Sequence, residues 1–457
     1  GILHAFRTSD GEELWGYIPL VILGNLERIP SSTANVTNAI YGVDGSPVVK
    51  DIYFDDTPHD GTNNPRWRTI LVGGLGAGEN AIYSIDITDI NNPKHLFAIK
   101  NDPSNREISH WDTTGAKNIY SYGSGSIAAD LNYSKLGETW STPRIIRIKV
   151  SGTDKWVAVF GGGYNGAVNP NVGSAVFVMD LEDEGRLLKV IDIEDTSVQT
   201  IVNSLPADLS VITADGTDKA NYNGAIIYAT DLEGKLTKIN LTDQGTLYQS
   251  TTLFTAEATS ANGRYIYTRP EVTINNDNNL WLYFGTGNTQ KLQSQSSQVK
   301  NRLYGIKDKN FPNFVKVNPA GDVSKCKTAP TCPGDTDLGW YVDLKKSQKL
   351  TAEPTVDKDR VYFPIYEPTA ANNKCGTGIA ILMAYNTKCG NSLLNVRLGK
   401  GVLSKVVKQG DNLYIGIAGE ADKNISGFIS KDNLITGKSQ AKDTGNEVQI
   451  EKWIENY

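Results

Sequence analysis

Four cysteines fall in two close pairs, Cys326 with Cys332 and Cys375 with Cys389. An even count in local pairs fits two disulfide clips formed in an oxidising compartment. The same residues also fit four buried free thiols. Zinc fits less well, since neither pair has the tight spacing of a zinc knuckle and no His lies nearby. The stretch Gly73-Gly74-Leu75-Gly76-Ala77-Gly78 has the outline of a phosphate-cradling loop. It lacks the lysine and hydroxyl that would meet a phosphate, and no helical pattern follows, so it reads as a tight strand connection. Gly161-Gly162-Gly163 reads the same way. Asp55, Asp56, His59, Asp60, Asn63 and Asn64 form a polar cluster between two strands, which reads as a loop tip before it reads as a cation site. The run from Asn275 to Asn279 reads as a turn. His110, Trp111 and Asp112 lie together in a long loop and read as solvated. No serine nucleophile elbow, no helix with paired zinc-binding His and no Arg-Gly-Asp triplet occurs.

These residues need a scaffold, and composition bounds what it can be. The chain has 457 residues, a formal net charge of -6, 39% apolar and 21% charged residues. A sizeable core is possible and global disorder is not expected. The acidic balance argues against nucleic acid as a partner, because phosphate recognition needs a concentrated basic face. No apolar run reaches the ~18–20 residues of a membrane-spanning helix. The chain opens on Gly1-Ile2-Leu3-His4-Ala5-Phe6, a strand already in progress, and no lysine-flanked apolar segment at its start reads as a signal peptide. A processed chain or a fragment is therefore expected.

Helical periodicity is scarce; short helices are predicted only over Val21–Leu26 and Ser197–Leu205. Apolar alternation recurs instead, in related units. One runs Ser46-Pro47-Val48-Val49, Ile70 to Gly74, and Ala81 to Asp86. Others follow from Thr142-Pro143, from Leu209-Ser210, from Arg269-Pro270, from Glu353-Pro354 and from Ser404-Lys405. Each has a first strand begun through Pro or a small residue, a second ending in Gly, and a third ending in Asp or Asn. A fourth, outer strand often follows, as at Leu96–Ile99. Pro is tolerated where the first N–H need not pair. This pattern predicts an all-β fold, a propeller of four-stranded antiparallel blades. Gly1–Phe6 and Asp10–Trp15 match the third and fourth strands of a unit. The blades number six if C-terminal strands complete that unit, or seven if its other strands lie upstream. Long loops at Asn101–Trp140, Lys309–Gly339 and Pro368–Gly378 are where function is expected.

Several stretches, in order along nearly the whole chain, are similar to the PilY/PilC family of type IV pilus biogenesis and tip-associated proteins. They are Gly1–Phe6 with Val43–Val49, Trp67–Gly78, Val159–Asn165, Tyr228–Gly234, Tyr283–Gly287 and Gly339–Leu344, and the ending around Trp453 also resembles the family. The resemblance implies the C-terminal domain of a longer exported protein, folded as a modified seven-bladed β-propeller, at the outer membrane or on the pilus. It implies a role in pilus extension against retraction, in twitching and in adhesion. Type IV pilin, minor pilins and a host-cell or other surface receptor are the implied partners. It further implies a calcium loop, here the stretch Thr213–Gly224. Asp215 falls on the first ligand position, but Thr217 and Lys219 replace the next alternate acids, and the closing Asp is replaced by an apolar residue. Asp215, Asp218, Asn221 and Asn223 are then the candidate oxygen donors to Ca2+; no organic cofactor is expected.

Two functional classes stay open. One is a non-enzymatic binding and assembly module that presents loops from the propeller faces, including a purely adhesive one. The other is a quinoprotein-like dehydrogenase using pyrroloquinoline quinone, because Ala5-Phe6, Asp10-Gly11-Glu12 and Trp15 echo the tryptophan blade motif of those enzymes. Trp15 has no counterpart in the other units, and no adjacent cysteine pair exists to sit over a quinone.

Overall fold

The computed structural model describes residues 1–28, 41–54, 65–123, 125, 127–166, 172–195, 201–216, 219–274, 279–345, 347–369 and 377–442. Strands dominate, and among the described strands all but one pairing is antiparallel. A hairpin pairs Leu3–Phe6 with Glu13–Tyr17. The first sheet orders Pro47–Phe54, Arg66–Gly74, Ala81–Asp86 and Lys94–Asp102, and Glu107–Trp111 and Lys117–Ser121 widen it. The second contains Arg144–Val150, Thr153–Gly161, Ala175–Asp180 and Leu187–Asp192. The third contains Ser210–Thr213, Gly224–Thr230, Lys235–Thr242 and Ser250–Thr255. The fourth contains Glu271–Ile274, Leu280–Gly285, Arg302–Asp308 and Gly339–Asp343, with Cys326–Thr328 added in parallel. Two further groups start at Thr355–Asp357 and at Val407–Gln409. They are fused because the end of Ser392–Leu403 pairs with the end of Asn412–Ala421.

Successive side chains on a strand point to opposite faces, so a sheet packed on both sides needs apolar residues at every position. The middle strands meet that demand. In the second sheet, Ala158, Phe160, Phe177 and Met179 face the first sheet, where Val72, Ile82 and Phe97 meet them. Their alternates Val157, Val159, Val176 and Val178 face Ala225, Ile227 and Ile239 of the third. The third sheet then turns Ile226 and Tyr228 toward Leu282 and Phe284 of the fourth. The fourth turns Trp281 and Tyr283 toward Phe363 and Met383 of the next group. Each sheet thus shares one core with the sheet before it and another with the sheet after it, which is propeller packing.

The hairpin joins the same stack. Leu3, Trp15 and Tyr17 pack on the first sheet, and the Trp15 indole N–H donates to the Ile90 carbonyl at 2.8 Å. The echo of a tryptophan blade motif is therefore a packing device here. The segment predicted helical around Val21 is a 3-10 helix, Leu20–Arg28, with Val21 and Ile22 buried against the first sheet. The helix expected over Ser197–Leu205 lies partly outside the described residues. Its described part is not helical, and Leu205 instead exchanges backbone bonds with Gly173 and Gly163.

The cysteines pair differently from the local expectation. Cys332 is bonded to Cys389, and Cys326 carries a free thiol that burial pushes up to about 12. Cys375 lies outside the described residues. The physical reason is the sheet-to-sheet contact. The turn holding Cys389 and Gly390 packs beside Ala329 and the Trp340 ring of the fourth sheet, which brings Cys389 to the loop carrying Cys332. The bridge links neighbouring sheets instead of closing a short loop.

Candidate functional site

The innermost strands of the first four sheets surround a cavity of about 900 Å³ along the propeller axis. Its two ends differ in chemistry because they meet opposite ends of the same strands.

At the end where the innermost strands begin, the residues just before them form a charged ring. The Arg269 Nε lies 3.0 Å from Glu353 Oε1, and Lys405 Nζ lies 3.0 Å from Glu353 Oε2 and 3.1 Å from Glu271 Oε2. Burial would raise the Glu353 carboxyl, but Arg269 and Lys405 hold it below the usual range. Burial raises the Asp208 carboxyl even though the Thr142 backbone N–H donates to it at 2.7 Å. Matching hydrogen bonds tie neighbours together: the Ser210 hydroxyl donates to the Pro270 carbonyl, and the Thr355 hydroxyl to the Val406 carbonyl. With its charges paired, this end reads as a clasp on the ring of sheets.

At the other end the surface is aromatic. Tyr53 lies next to the end of the first strand of the first sheet and sits opposite Trp67 in register. Their rings are 5.6 Å apart, and they are 48% and 62% exposed. The Trp156 indole N–H of the second sheet donates to the Tyr53 carbonyl at 3.0 Å, and the Arg147 guanidinium lies 6.0 Å from the Trp156 ring. Asp154 is paired with Lys149 at 2.9 Å. Trp, Tyr and Arg are the side chains that most often carry binding energy at protein interfaces. The arrangement suits contact with a macromolecule, and it brings together no nucleophile, base and oxyanion donors. Sequence reasoning singled out Trp67 only as part of the Trp67–Gly78 stretch and missed Tyr53, Trp156 and Arg147. A large aromatic near the start of the second strand in consecutive units was the available signal.

Of the candidate calcium donors, Asp215 and Asn223 lie beside this aromatic end. Asp215 is in a 3-10 turn, Ala214–Gly216, and lines the cavity with Tyr222 and Asn223. Burial first, and then the Asp215 charge, raise the Tyr222 phenol. The Asn223 side-chain amide donates to Asp243 at 2.5 Å and its backbone N–H to the same carboxylate at 2.9 Å. The Asn221 carbonyl accepts from the Gln244 side chain. Asp218 lies outside the described residues. Among the described residues no three His, Cys, Asp or Glu side chains gather as a metal site would need. A calcium ion takes about 6–8 oxygens, and the described donors do not supply them by themselves. Asp243, distant in sequence, is the partner that spacing did not reveal.

A second cluster fills the turn after Gly224–Thr230. Asp231, Glu233 and Lys235 are all buried; Lys235 Nζ bonds Asp231 at 2.9 Å and also bonds Glu233. Asn203 donates to both carboxylates, at 3.2 Å and 3.1 Å, and the Asp195 backbone N–H donates to Glu233. Burial, the largest influence, raises the Glu233 carboxyl to about 7 against the pull of Lys235.

Sheets that share cores in sequence around an axial cavity define a β-propeller. The family model described as the PilY1 beta-propeller domain matches residues 1–321, and the chain belongs to that family. The chain is 26% identical over 426 residues to a type IV pilus biogenesis factor PilY1 homolog from Xylella fastidiosa, covering 83% of this chain and 24% of that protein. It is 27% identical over 242 residues to the type IV pilus biogenesis factor PilY1 of Pseudomonas aeruginosa, covering 53% of this chain and 16% of that one. It therefore spans about a quarter of the Xylella relative's length. The crystal structure of the Pseudomonas aeruginosa PilY1 C-terminal domain superposes with a TM-score of 0.61 at 18% identity, covering 92% of this chain and 89% of that chain. The all-β propeller expectation agrees with that fold.

Proposed function

We propose that this chain is the propeller module of a type IV pilus biogenesis factor and works without catalysis. Its partners on this reading are type IV pilin and minor pilins, with a host-cell or other surface receptor where adhesion is involved. It is exported, resides at the outer membrane, cell surface or pilus, and favours extension over retraction, supporting twitching. Membership of the PilY1 propeller family carries the reading. The exposed Tyr53–Trp67 pair with Trp156 and Arg147 supplies a contact surface of suitable composition.

Replacing Tyr53 and Trp67 together by Ala should remove surface pili and twitching while circular dichroism stays unchanged. Fibres should return when retraction is also disabled. Normal twitching after deletion of the whole propeller would end the reading. Normal twitching in the double variant alone would move the contact elsewhere on the propeller.

Calcium is a subsidiary proposal resting on Asp215, Asp218, Asn221 and Asn223, with Asp243 added beside Asn223. Calorimetric titration should give binding heat that Asp215→Ala loses, and no heat from the parent chain would remove it.

A further inference from the structure

Lys238 and Asp308 stand apart from both ends of the cavity. Lys238 lies in Lys235–Thr242 of the third sheet, and Asp308 ends Arg302–Asp308 of the fourth. Their side chains are 0% and 1% exposed, and Nζ is 2.6 Å from Oδ2. The Tyr228 hydroxyl donates to the same Oδ2 at 2.6 Å. The Asn310 backbone N–H donates to Oδ1 at 3.0 Å. Nζ also donates to the Asn313 carbonyl at 2.7 Å. Phe254, Ile306 and Phe311 belong to the same core as Tyr228.

A fully desolvated ion pair is costly, and proton transfer to neutral amine and acid relieves it. Burial lowers the Lys238 pKa in the same direction, with Asp308 opposing. Hydrogen-bond accounting separates two states of this site. The ammonium has three protons, yet the oxygens that receive them among the described residues are Asp308 Oδ2 and Asn313 O, and the Tyr228 ring centroid is 5.9 Å away. An amide needs one acceptor for its N–H and a donor for its oxygen. The Asn313 carbonyl and the Asn310 N–H already occupy those places.

We propose that Lys238 and Asp308 join in an intramolecular isopeptide bond that links the third and fourth sheets covalently. Nζ attacks Cγ, the Nζ–Cγ bond forms and the Cγ–Oδ2 bond breaks. The Asn310 N–H supports the charge that develops on Oδ1. Oδ2 leaves as water with two of the ammonium protons, one relayed through the Tyr228 hydroxyl, and the third stays on the amide nitrogen. Ammonium plus carboxylate become amide plus water, so no oxidant, reductant or co-reactant is required.

Mass spectrometry of the full chain, denatured and reduced, tests this. The chain should be lighter than its sequence by one water, and digestion should release a branched peptide containing Lys238 and Asp308. Lys238→Arg should restore the full sequence mass, and Tyr228→Phe should leave a larger unlinked fraction. A wild-type chain at its full sequence mass, with Lys238 and Asp308 in separate peptides, overturns the proposal. That measurement needs only the wild-type chain, so a variant that fails to fold does not obscure the result.

Discussion

At the Asn203–Lys235 cluster two carboxylates and one ammonium share a site nearly closed to water. The folded chain holds the Glu233 proton up to about 7, whereas an ordinary glutamate releases it near 4.5. Between those values the folded state binds more protons than the unfolded one, so stability falls as pH rises through the interval. Glu233→Gln should flatten the decline of Tm with pH between about 4.5 and about 7; an unchanged slope would place the proton elsewhere. At this scale the sequence was only partly legible. Asp231 and Glu233 stood in a recognisable stretch, but their burial depends on Asn203, which arrives from another loop. Cysteine pairing failed for the same reason: proximity along the chain favoured Cys326 with Cys332, while sheet packing selected Cys389.

Strands were the most legible elements, because burial on both faces leaves a mark at every residue. Phe177 shows what the pattern encodes. It is fully buried, with ring centroids 5.4 Å from both Tyr133 and Phe160. Phe177→Ala should cost about 3–5 kcal/mol, read by denaturant unfolding, because neighbouring sheets cannot collapse onto the void. Two kinds of strand escaped. Glu107–Trp111 and Lys117–Ser121 add to an edge, and the second of them is largely exposed and polar. Cys326–Thr328 pairs in parallel through only a short stretch, inside a segment whose composition reads as loop. The aromatic end of the cavity was missed because Tyr53 and Trp67 belong to one sheet and Trp156 and Arg147 to the next, and the two pairs meet only when those sheets stack.

Across the whole molecule, repeated strand starts foretold a propeller but not what holds its axis. The pre-strand positions carry Arg269, Glu353 and Lys405, whose charges join groups that are far apart in the chain, Lys405 reaching Glu271 across 134 residues. Opposite charges at these positions let the sheets neutralise one another where they crowd most closely. The Cys332–Cys389 bond adds a covalent tie between neighbouring sheets. In the loop-entropy account, closing a segment of 57 residues is worth about 4 kcal/mol, more than the short clips first expected. It also has a mechanical meaning. When the chain is pulled from its ends, the stretch between the two sulfurs, a sequence separation of 57, cannot extend. Reduction should therefore lengthen the fully stretched chain by about 190 Å at ~3.4 Å per residue, measurable by single-molecule force spectroscopy. An unchanged contour length would contradict the bridge. The oxidised protein thus carries slack that tension cannot draw out.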